Sequence, residues 1–234
     1  MPLSARRRAT GALPSAKTAS RTWERPLSTQ GPNLLAGRGG RSCDDFRMTA
    51  KGTIVVSGAP ATGKSTVAAA VADNLGFPLL SLDMVKETLA DVLGIKEEQE
   101  AWSYTLGDAA AEVVFRLNDM FPYAVVEGWW RGDRRKRAEE QFVGCVEIFC
   151  RCEPSLAERR MRARQGANRH LIHRDMVNPE LVQEAARLAG TVLPLGVGAA
   201  LIEVDTSSGI DWDWLCGAVR DALLTATRTG SRVP

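Results

Sequence analysis

Nine residues, GAPATGKST at 58–66, constrain this chain more than any other stretch. They follow a short β-branched apolar run, Thr53 to Ser57, that reads as a buried strand. They precede TVAAAVADNLG, whose valine and leucine spacing reads as a helix ending at Gly76. Glycines in the spacing G-x-x-x-x-G-K-S let successive backbone N–H groups turn inward, and a helix start adds partial positive charge at the same point. That is the chemistry of a loop that wraps a polyphosphate. The candidate binding residues are Gly58, Ala59, Pro60, Ala61, Thr62, Gly63, Lys64, Ser65 and Thr66. Lys64 is expected to face solvent until it reaches the β and γ phosphates of ATP, and Ser65 is expected to bind Mg2+.

Strand and helix patterns alternate along the rest of the chain. FPLLSL (77–82), YAVVEG (123–128), VEIFCRC (146–152) and ALIEVD (200–205) read as further strands. Helical stretches follow: DMVKETLADVLG, a segment from about 100 to 120 with a break near Gly107, RGDRRKRAEEQ, SLAERRMRAR after Pro154, one near 179–189 and a last one from about Asp211. This alternation predicts an α/β fold with a five-stranded parallel sheet covered on both faces, a three-layer arrangement. Right-handed crossovers then bring the carboxyl ends of the strands to one edge. The phosphate loop, Asp83, Glu127 and Asp205 are expected there.

Charge is unevenly spread. The chain of 234 residues carries +2 in all, but residues 1–47 hold nine Lys/Arg against three Asp/Glu, which leaves the body near −4. An acidic body offers no basic footprint for nucleic acid. No apolar run approaches the roughly 18 residues of a membrane helix. The five cysteines, at 43, 145, 150, 152 and 216, have no metal-ligand spacing and read as core thiols of a reducing, cytoplasmic compartment. Residues 1–47 are rich in Arg, Ser, Thr, Gly and Pro and cannot bury a core. They read as a disordered leader, either similar to an organelle transit peptide or upstream of a working start at Met48. The domain is then expected over 48–234.

Three further groups carry chemistry. Asp83, at a strand-to-helix turn, is either a helix cap or the general base for an acceptor hydroxyl, and Ser81 beside it is a second candidate cap. Glu127, at a strand tip, is expected to hold a Mg2+-bound water or a substrate hydroxyl. Trp129, Trp130 and Arg131 follow it as a candidate substrate wall, with one tryptophan free to be core. Arg160 and Arg164 share a helix face. That helix leads to Arg169, His170, His173 and Arg174, where a mobile lid would fold over phosphates and supply positive charge.

Taken together, GAPATGKST, LDMVKETLADVLG, VVEGWWR and FCRCEPSLAERRMRARQGANRH resemble the small P-loop kinases grouped as an AAA-type ATP-binding kinase family, which includes chloramphenicol phosphotransferase, zeta toxins, gluconate kinase and the kinase domain of polynucleotide kinase. The resemblance spans about residues 52–226. It implies a P-loop NTPase fold with a short helical lid near 154–178, and ATP- and Mg2+-dependent phosphoryl transfer to a hydroxyl of a small-molecule acceptor. Transfer to a nucleotide sugar or polynucleotide, or a nucleotide-binding regulator with little turnover, are the alternatives. The resemblance implies Asp83 as base, Arg160 and Arg164 on nucleotide or transferred phosphate, and Lys64 as the catalytic lysine. Members often show R-H-P-G-H in the lid; this chain has Arg169-His170-Leu171-Ile172-His173, without the Pro-Gly turn.

Overall fold

The computed structural model describes residues 52–95, 100–164, 170–173 and 179–230. The expectations for residues 1–47, Met48, Cys43, Arg169 and Arg174 lie outside them. Five strands form one parallel sheet in the order β2-β3-β1-β4-β5: β1 (Gly52–Gly58), β2 (Leu79–Ser81), β3 (Tyr123–Glu127), β4 (Val146–Arg151) and β5 (Ala200–Asp205). The helices are α1 (Lys64–Leu75), α2 (Leu82–Leu93), α3 (Glu100–Met120), α4 (Asp133–Gln141), α5 (Pro154–Arg164), α6 (Pro179–Thr191) and α7 (Trp212–Gly230).

Strand periodicity sorts the core into two layers. On one face Ile54, Val56, Ile148 and Val204 pack against Val67 and Val71 of α1 and Leu215 and Val219 of α7. On the other, Val55, Val126 and Leu80 meet Val114 and Phe115 of α3 and Ala138 of α4. Every residue of β1 is buried, as a central strand covered on both faces requires. Each fully buried Val, Ile or Phe side chain here contributes about 1.5–3 kcal/mol against the entropy of ordering the chain.

Two local expectations change. The second strand begins at Leu79, not Phe77. Pro78 has no N–H to give a ladder, and its carbonyl instead accepts from the Val125 amide at 2.9 Å. The helix over 100–120 runs through Gly107 without a break. A Cβ at Gly107 would lie 2.8 Å from Nη1 of Arg134, so the glycine makes room for that guanidinium.

Candidate active site

β1 delivers Gly58 to the centre of the sheet edge, beside β4. A Cβ at Gly58 would come within 2.3 Å of the Cys150 carbonyl oxygen, and its φ of 137° suits glycine alone. The loop then turns through Ala61 (φ 62°) and Gly63 (φ 84°) before α1 begins at Lys64. Gly63 supplies no side-chain cap, so the first amides of α1 are left to a ligand. The loop is held from outside. Thr62 Oγ1 donates to Ala59 O at 2.8 Å, and Thr206, just past β5, donates to Thr62 O at 2.9 Å. Arg160 Nη1 and Nη2 donate to Thr206 Oγ1 (3.0 Å) and Thr206 O (2.7 Å), with a longer contact to Ala61 O.

Lys64 does not face solvent as expected. It is 7% exposed, and its ammonium donates to Ala59 O at 2.7 Å. Burial pushes its pKa down, while Glu127 and Asp83 hold it up. The side chain is folded back into the phosphate cradle rather than extended from it.

Glu127 ends β3 in register with Val56 of β1 and Ser81 of β2, which makes it 3% exposed. It accepts from Ser81 Oγ at 2.8 Å and Ser65 Oγ at 3.3 Å. Burial raises its pKa, and the Lys64 ammonium acts against that. A serine hydroxyl and a carboxylate in contact are hard oxygen donors. They suit a Mg2+ carried mainly on phosphate oxygens and waters, not one caged by protein. The cap of α2 is Ser81, whose Oγ accepts from the Met84 amide at 3.4 Å. Asp83 lies in the first turn of α2, and no described group hydrogen-bonds its carboxylate.

A cavity of about 240 Å3 opens from Pro60, Gly63, Lys64 and Ser65, passes Asp83 and Glu127, and reaches Trp129 and Arg131. Of the tryptophan pair only Trp129 lines it. Trp130 is a core residue, 4% exposed and stacked on Phe115 at 5.6 Å, with Phe142 at 5.5 Å. Its Nε1 has no hydrogen-bond partner among the described residues, a cost that the packing of three aromatic rings offsets. Lys86, Ser103 and Arg134 also line the cavity, and sequence reasoning did not single them out. The patterns KETLADVLG and DRRKRAEEQ read as helices, and only the tertiary packing turns Lys86 and Arg134 inward.

A family model described as an AAA domain matches residues 54–187. The chain belongs to this family of small P-loop kinases. A structure from Chloroflexus aurantiacus j-10-fl, described as a presumed kinase, is 29% identical, covering 74% of this chain and 99% of that one with a TM-score of 0.66. Shikimate kinase from Acinetobacter baumannii shares the fold at 17% identity, 79% and 98% coverage and a TM-score of 0.54. No curated protein matches the sequence.

In this P-loop kinase α5 and α6 pack together and onto the loop. Ala61 shares an apolar cluster with Ala157 and Met161 of α5 and Val182 and Ala185 of α6. Arg164, Ala185 and Leu188 close the cavity from that side. Arg160 and Arg164 therefore differ: Arg164 lines the cavity, whereas Arg160 grips Thr206 and the back of the loop and is not among the lining residues. Residues 170–173 dock on α2 through His170–Asp91 (3.1 Å) and His173–Glu87 (2.7 Å). The His173 hydrogen bond lowers the Glu87 pKa. Among the described residues, no three His, Cys, Asp or Glu side chains gather as a metal site. The four described cysteines are buried and form no disulfide, with Cys150 pushed up to about 12 by burial. No described helix is long and apolar enough to cross a membrane.

Proposed function

We propose that this P-loop kinase is an ATP- and Mg2+-dependent phosphotransferase acting on a hydroxyl of a small-molecule acceptor. One observation carries the reading: a carboxylate with no hydrogen-bond partner among the described residues, Asp83, shares a small cavity with the Lys64 end of the phosphate loop. The acceptor O–H bond breaks as its oxygen bonds to the γ-phosphorus, the proton passes to Asp83, and the bridging P–O bond to the β-phosphate breaks to leave ADP. Lys64 holds phosphate charge by leaving Ala59 O, a short swing within the cradle. Arg164 adds charge from the α5 side, where it is most useful as the phosphoryl group loosens. When bound through Ser65 and a water on Glu127, Mg2+ supplies neutralisation of the β and γ oxygens.

The test is ADP formation and label transfer from radiolabelled ATP to a panel of hydroxyl compounds. Asp83→Asn leaves the Ser81 cap untouched, so its melting temperature should match wild type. Its transfer rate should fall by roughly 10²- to 10³-fold, since loose transition states need only part of what a general base can give. The ATP dissociation constant should stay unchanged. Lys64→Ala should lose transfer by at least about 10²-fold. Wild-type transfer in either variant would leave Asp83 without a role as base or remove the loop assignment.

A further inference from the structure

The end of the cavity away from the phosphate loop is cationic. Arg131, half-buried in the connection between β3 and α4, lays its guanidinium over the rings of Trp129 at 4.6 Å and Tyr104 at 5.1 Å. Arg134, in the first turn of α4, is 15% exposed and pairs with Asp108 at 3.1 Å. Lys86, 8% exposed, donates to Ser103 Oγ at 2.8 Å. All three line the same cavity as Asp83.

The two guanidiniums are an expensive arrangement in the form described. Burial lowers the pKa of both, and Arg131 acts on Arg134 in the same direction. Asp108 is the one carboxylate within ion-pair distance of either among the described residues, and its own side chain is 68% exposed. Gly107 of α3 borders the Arg134 guanidinium: a Cβ there would lie 2.8 Å from Nη1, the far end of a flexible side chain. Glycine inside a helix costs about 1 kcal/mol relative to alanine, and here it opens the space that the Arg134 guanidinium fills. Two forked, partly buried cations facing one small cavity are matched by a planar or tetrahedral oxyanion, which each can hold through paired N–H bonds.

We propose that the phosphoryl acceptor is a small anionic hydroxy compound, a carboxylate or a phosphate ester, whose anion is held by Arg131 and Arg134 with Lys86 beside them while its hydroxyl meets Asp83. This rests on the phosphotransferase reading above and narrows its substrate class. Trp129 gives the acceptor carbon skeleton an apolar wall. The anion also sets orientation: it draws one end of the acceptor to α4 and leaves the other facing the loop. Neutral parent compounds lack that anchor.

The experiment fills the phosphate loop of the full chain with a nonhydrolysable ATP analogue and Mg2+, then follows melting temperature against inorganic phosphate in one arm and malonate in the other. At least one anion should stabilise wild type, and the effective arm tells a phosphate ester from a carboxylate. Arg131→Gln and Arg134→Gln should raise the apparent dissociation constant of that anion by about 10- to 100-fold. If neither anion stabilises wild type, or both variants respond as wild type does, the proposal is overturned. If the analogue itself gives no stabilisation, the nucleotide reading falls instead, and the same anion titration without it still decides the cationic subsite.

Discussion

At Glu127 the folded protein works against the charged form that its proposed role beside Mg2+ needs. Burial raises the carboxyl pKa above its ordinary 4.5, so the folded chain holds this proton more tightly than the unfolded chain. From about pH 4.5 up to the raised folded value, stability therefore falls as pH rises, and above that value the whole cost remains. Glu127→Gln keeps an acceptor for Ser81 and removes the charge. Without ligands, it should melt above wild type at pH 7.5, and the gap should close as pH falls through that window. Melting curves at half-unit pH steps check this, and a variant that melts lower at neutral pH would contradict the assignment. What was legible in the sequence was the placement that follows from spacing: Gly58, Gly63, Lys64 and Ser65 in the loop, Asp83 just after a strand and Glu127 at the end of one. Lys64 lying back on Ala59 was not legible, because an ammonium without phosphate takes whichever carbonyl the fold offers.

Helix α5 makes a sharper distinction than its sequence does. RRMRAR offers four arginines at similar spacing, and one face holds both Arg160 and Arg164. The Thr206 turn decides between them, and that contact is 46 residues away along the chain. Arg160→Ala removes hydrogen bonds to Thr206 and Ala61. The expected cost is about 1–3 kcal/mol, which lowers the melting temperature by roughly 2–4 °C per kcal/mol for a domain of this size. Arg164→Ala should lower kcat by about 10- to 100-fold, more than it weakens nucleotide binding. Melting curves and steady-state kinetics on both variants separate the roles. If the two variants share one profile, α5 acts as a single unit. The strands were readable from β-branched apolar runs, and α1 from Gly76, which closes it in the left-handed conformation. The contribution of α6 to the cavity was not, since amphipathic spacing in PELVQEAARLAGT says that one face is covered but not by what.

For the molecule as a whole, the proposed domain starts at Met48. A chain beginning there should keep the melting temperature and ATP affinity of the full chain, because residues 1–47 lack the apolar periodicity to join a core. Calorimetry and ATP titration on both chains test this, and a drop of several degrees would make the leader part of the fold. The serine that ends β2 has a wider consequence. One hydroxyl both caps α2 and donates to Glu127, which accepts in turn from Ser65 of the loop. A divalent cation drawn to the Ser65 side of Glu127, as proposed above, would therefore act on the same carboxylate whose other oxygen holds the Ser81 cap of the helix bearing Asp83 and Lys86. On the proposed reading, nucleotide and acceptor would then be thermodynamically linked, each altering the affinity of the other through one side chain.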